Sequence, residues 1–115
     1  MKESSQKKLF LDFCKANNIE AQKFFGAAGT PDIIGCCKGE YFGLEFKQGH
    51  SADSVLYKVT EIQLRKGKEI MLAGGRVFYV SLSKTKCCGS TGSFYRFEFN
   101  TFESFCTWFL SLFGV

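Results

Sequence analysis

Apolar residues change their period several times along this chain, and each change marks an element. Leu9, Phe10, Phe13 and Cys14 recur at helical spacing, which predicts a first helix capped by Ser4 or Ser5 and stopped at Asn17-Asn18. Ile19 to Phe25 reads as a first strand, closed by the small-residue loop Gly26-Ala27-Ala28-Gly29. Two apolar runs then flank the turn-like stretch Cys36-Cys37-Lys38-Gly39-Glu40 and predict a β-hairpin. In its second arm Phe42, Leu44 and Phe46 point one way, while Tyr41, Gly43, Glu45 and Lys47 point the other. Gln48 to about Val59 reads as a polar loop holding the only histidine, His50, which is given no role.

The second half is punctuated as clearly. Thr60-Glu61-Ile62-Gln63 has the form of a capping box, and it opens a helix that runs to Ala73 before Gly74-Gly75. Ile62, Ile70 and Ala73 are its expected buried stripe, and Gly67 weakens it. Arg76 to Leu82 is a strand that follows a helix, so it is expected to run parallel to an earlier strand. Gly89-Ser90-Thr91-Gly92 predicts the turn of a second hairpin, peripheral to the sheet, with Phe94 to Phe99 alternating behind it. Thr101 caps a last helix with Phe102, Phe105, Phe109 and Leu112 at helical spacing and Trp108 and Phe113 beside them. So broad an aromatic face leaves two readings open, a dimer interface or plain core packing. The expected fold class is α/β: a mixed β-sheet flanked by helices, with an extra β-hairpin before the C-terminal helix.

Length and composition narrow the picture without choosing a function. A chain of 115 residues makes a single domain, 1–115, and 45% hydrophobic residues, 14 of them phenylalanine, argue for a folded one. No apolar run is long enough to span a bilayer, and the N-terminus lacks the apolar stretch of a signal peptide. A soluble, intracellular protein is expected. The net charge of +4 favours a polyanionic partner without requiring one. The six cysteines are expected to be free thiols. Four fall in the adjacent pairs Cys36-Cys37 and Cys87-Cys88, which lack the Cys-x2-Cys spacing of a zinc knuckle. They read as small buried hydrophobes.

Chemistry gathers at the first hairpin. If its strands pair antiparallel, Asp32 lies beside Glu45 and Lys47, two acids and an ammonium on one spot. Converging carboxylates suit Mg²⁺, and a strand carbonyl, here that of Phe46, completes the protein's share of ligands. A protonated lysine has no lone pair for the metal, but it can orient water and stabilise charge on an attacked phosphate. The set fits hydrolysis of a phosphodiester. It also fits a surface strand with Glu45 and Lys47 solvated and Asp32 serving turn backbone groups. Spacing alone leaves both open.

Thr30-Pro31-Asp32-Ile33-Ile34 followed by Leu44-Glu45-Phe46-Lys47 resembles the Pro-Asp…(Asp/Glu)-x-Lys motif of the restriction-endonuclease-like superfamily. More narrowly, Gly29 to Gly35, Lys38-Gly39, Glu45-Phe46-Lys47, Thr60-Glu61-Ile62-Gln63 and Ala73-Gly74-Gly75-Arg76-Val77 resemble the VRR-NUC nuclease family. The resemblance implies a restriction-endonuclease-like core. Asp32 and Glu45 would be metal ligands with the Phe46 carbonyl, Lys47 the catalytic lysine and Gln63 an active-site helper. An acid near the start of the first helix is usual in that family, and Glu3 is the candidate here. The implied activity is Mg²⁺- or Mn²⁺-dependent endonucleolytic cleavage of DNA. Small members tend to be homodimers that act on branched DNA such as four-way junctions, here in the cytoplasm of a bacterial or phage-infected cell. Two departures stand out, a long Gln48–Val59 segment and an inserted Lys84–Phe99 hairpin. Lys58, Arg65, Lys66, Lys84, Lys86 and Arg96 are candidate phosphate contacts. The alternatives are a DNA-binding protein of this fold that does not cut, and a phage-type protein that grips a host protein through its last helix.

Overall fold

The computed structural model describes residues 1–115. Its elements are α1 (Glu3–Ala16), β1 (Glu20–Lys23), β2 (Ile33–Cys37), β3 (Glu40–Phe46), α2 (Ala52–Lys58), α3 (Glu61–Leu72), β4 (Arg76–Leu82), β5 (Cys87–Thr91), β6 (Arg96–Phe99) and α4 (Phe102–Leu112). The strands form one six-stranded sheet in chain order. Neighbours are antiparallel throughout, except that β3 and β4 run parallel. A parallel step needs a crossover, and α2 with α3 supplies it. The α/β class and the mixed sheet flanked by helices are as expected. No helix is long and apolar enough to cross a membrane.

The two faces of the sheet are covered differently. Phe42, Leu44 and Phe46 of β3 join Phe78, Val80 and Leu82 of β4 beneath α1 and α4, in one large core. The aromatic face of α4 is consumed there. Phe109 is fully buried, and the rings of Phe10, Phe42, Phe78 and Phe113 lie within 5.5 Å of its own. Packing within the chain, one of the two readings left open for that face, holds for Phe105, Phe109 and Phe113. The opposite face carries a small core of Val55, Val59, Val77, Tyr79 and Cys88 beneath α2 and α3.

Three expectations are corrected. Gln48–Val59 is not all loop, because Ser51 and Ser54 form a reciprocal cap that starts α2. Serine at both ends of the box escapes a search for Glu or Gln at the second position. Of the expected stripe of α3, Ile70 packs against the small core, but Ile62 is half exposed, Ala73 is exposed, and the one fully buried residue is Gly67. A Cβ on Gly67 would stand 2.3 Å from the Tyr79 hydroxyl, so the glycine is the point of closest approach between helix and sheet. Finally, Gly89-Ser90-Thr91 is strand rather than turn, and the second hairpin extends the sheet instead of standing apart from it. Any side chain at 89 would collide with the Tyr79 carbonyl of β4, which explains a glycine inside a strand.

The cysteines are all free, and all but Cys36 are buried. Cys87 faces the large core and Cys88 the small one. Burial pushes the Cys14 and Cys106 thiols up to about 12, which leaves them unreactive.

Candidate active site

The site lies at the end of the sheet where β2 begins and β3 ends. Ile33 pairs with Leu44, so one further step along the ladder brings Asp32 against Glu45, on the face away from the aromatic core. Pro31 is buried over Gly43, where a Cβ would meet its ring at 2.6 Å. That fit seats Asp32 on the sheet. Its Oδ2 accepts the Phe46 N–H at 2.9 Å, and its Oδ1 lies 3.9 Å from Lys7 Nζ.

Glu45 is only 4% exposed. Burial first, and then the charge and hydrogen bond of Asp32, push its carboxyl up to about 8, against the opposing pull of Lys47. Two carboxyls this close cannot both ionise cheaply, so Glu45 keeps its proton unless a cation takes its place. Tyr79 stands beside Glu45 in the parallel ladder. Burial and then the Glu45 charge push its hydroxyl up to about 12, so it stays a neutral donor.

Lys47 follows directly on β3 with its backbone held on both sides. Its N–H donates to the Val80 carbonyl at 2.8 Å, and its carbonyl accepts Gln6 Nε2 at 3.1 Å. Gln6 is fully buried; its Oε1 accepts the Leu82 N–H at 2.8 Å, and its Nε2 also reaches the Met1 carbonyl. A completely satisfied buried amide therefore ties α1 to the ends of β3 and β4. The Phe46 N–H faces Asp32 while that of Lys47 faces β4. Since the N–H and C=O of one strand residue project to the same side, the Phe46 carbonyl opens on the Asp32 side.

No group of three or more His, Cys, Asp or Glu side chains is gathered for a metal. The donor set is a carboxylate pair and a main-chain oxygen. That fits a hard cation such as Mg²⁺, which keeps several waters, and does not fit a structural zinc site.

No protein-family model matches the chain, and no curated protein matches it.

The other expected residues are distributed unevenly. Glu3 is exposed in the first turn of α1 and is the smallest of the influences that shift Glu45. Gln63 closes the α3 cap: its Oε1 accepts the Thr60 N–H, and no hydrogen bond joins it to Asp32, Glu45 or Lys47. Lys58 and Lys86 line one cleft of about 440 Å³ with Gln48, Gly49 and His50, where the Lys58 ammonium donates to the Gln48 carbonyl. Lys84 is exposed in the same β4–β5 connection. Arg65 lines a separate hollow with Lys68, Tyr79 and Phe94, and Lys66 is half-buried on α3. Arg96 is paired with Asp53 at 2.6 Å, so its charge is already answered.

Sequence reasoning missed Gln6, Lys7 and Tyr79. Gln6 left a trace: it stands four residues before Phe10 and eight before Cys14, a polar residue on the buried stripe of α1. Lys7 left none.

Proposed function

We propose that this protein is a metal-dependent endodeoxyribonuclease of the VRR-NUC type, built on a restriction-endonuclease-like core. One observation carries the reading: Asp32 is held against a buried Glu45, with Lys47 on the same face of the strand. A surface strand of solvated charges would not bury one of its acids to 4% beside another. Asp32, Glu45 and the Phe46 carbonyl would hold Mg²⁺ or Mn²⁺. When bound there, such an ion would supply Lewis acidity to a phosphodiester oxygen and lower the pKa of a water. Glu45 would release its proton to solvent on serving as a ligand. The Lys47 ammonium stabilises the negative charge that builds on the attacked phosphate. Lys58, Lys84 and Lys86 attract the flanking backbone. Branched DNA as substrate, action as a homodimer and a bacterial or phage-infected cytoplasm follow from the resemblance. The test is to incubate the protein with linear duplex, single-stranded, flap and four-way-junction DNA, with and without Mg²⁺. Mg²⁺-dependent internal cuts are expected, most abundant on the branched forms; four intact substrates would overturn the reading.

A further inference from the structure

The β1–β2 loop presents an aromatic ring beside the candidate site with nothing in the protein to cover it. Phe25 is 92% exposed. A lone exposed apolar residue is ordinary, but three observations set this one apart.

The loop that carries it is built rather than loose. The Thr30 N–H and Oγ1 both donate to the Ala27 carbonyl, at 3.2 and 2.7 Å. Gly29 turns through φ +87° against α3, where a Cβ would meet the Ile62 side chain and carbonyl. Phe25 is thus offered on a braced turn, which lowers the ordering cost of binding through it.

Its place is set by the site. The Phe24 N–H donates to the Asp32 carbonyl at 2.9 Å, so Phe25 is the next residue out from the ladder position facing that acid. Phe24, 37% exposed, precedes Phe25, and Ile62, 50% exposed, lies against Gly29 of the same loop. Its charged neighbours suit a strand of nucleic acid. Lys7 reaches Asp32 and Lys47 acts on Glu45, so two ammonium groups stand at the acids that this loop adjoins. An exposed aromatic ring next to a cation-bearing site is the pairing that holds single-stranded nucleic acid, with a base on the ring and phosphates on the lysines.

We propose that Phe25 stacks on an unstacked base of the DNA strand whose phosphate lies at Asp32, so the protein prefers single-stranded or branch-point DNA to intact duplex. The proposal deepens the nuclease reading and rests on it for the kind of ligand. An intact duplex keeps its bases stacked inside and offers nothing to this ring. A branch point or a single strand offers a base at a lower unstacking cost.

The experiment measures binding, so that it does not depend on cleavage. Fluorescence anisotropy in Ca²⁺ compares a labelled oligothymidine, a four-way junction and a blunt duplex, using wild type, Phe25→Ala and Phe25→Trp. Loss of one stacked base predicts that Phe25→Ala binds oligothymidine and junction about tenfold more weakly. Its affinity for blunt duplex should hardly change, and Phe25→Trp should restore the wild-type pattern. Because the ring is exposed, circular dichroism should show all three proteins equally folded. Equal affinities of wild type and Phe25→Ala for all three DNAs, or an equal loss on all three, would overturn the stacking role. Mg²⁺-dependent cleavage indifferent to Phe25 would also overturn it while leaving the nuclease intact. Phe25-dependent binding with no cleavage in Mg²⁺ would uphold stacking and overturn the nuclease.

Discussion

The two faces of the sheet are made from the same strands and do opposite work. Beneath α1 and α4, seventeen buried residues form one core in which Phe10, Phe42, Phe78, Phe105 and Phe109 pack ring against ring. Beneath α2 and α3 the core has only five members, and the same face carries Glu45, Tyr79 and the glycine contact of α3. Alternation along β3 makes the division, since Leu44 and Phe46 turn to one side while Glu45 turns to the other. A buried carboxyl is costly, and the aromatic face supplies the stability that tolerates it. The difference teaches that stability and chemistry are separable here by face.

The sharpest way to break that division is to attack the aromatic face. Phe109→Ala removes a fully buried ring that packs against six others, and should cost about 3–5 kcal/mol in denaturant unfolding. A cost below about 1 kcal/mol would show that the large core is not what holds the fold.

The polar face should reveal itself through pH. Folding holds the Glu45 carboxyl protonated up to about 8, against an ordinary value of 4.5. The folded protein therefore keeps a proton that the unfolded chain releases, and unfolding stability falls as pH rises between those values. The contribution is complete below 4.5 and gone above about 8. Glu45→Gln keeps the shape without the ionisation, so its stability should lack that decline. Parallel stability–pH curves for the two proteins would contradict a buried proton on Glu45.

A smaller effect is expected where the faces meet. Gln6→Leu leaves the Leu82 N–H and the Lys47 carbonyl without their partner, which costs about 1–3 kcal/mol by thermal melting. It should also slow cleavage, because the Lys47 backbone loses one of its two ties. Unchanged cleavage would show that Val80 alone positions Lys47.

Much of this plan was legible in the chain. Period-two alternation in Tyr41–Lys47 set which residues share Glu45's face, and the order helix, strand, hairpin, helix, strand fixed the parallel step of β3 and β4. The pairing of Asp32 with Glu45 followed from the hairpin alone. What escaped was set by contacts across the fold. Gly67 looked like a weak point in α3 and is its point of contact. Gly89 looked like a turn and is a strand residue pressed on β4. Lys7 reaches the site only because Gln6, its neighbour, anchors α1 over the ends of β3 and β4. Local pattern carries no record of such approaches.

The most direct test removes the polar face one residue at a time. Asp32→Ala, Glu45→Ala and Lys47→Ala should each abolish Mg²⁺-dependent DNA cleavage while circular dichroism and thermal melting report an intact fold. Full cleavage by any one of the three would contradict the assignment of this pair of acids and its lysine as the catalytic centre.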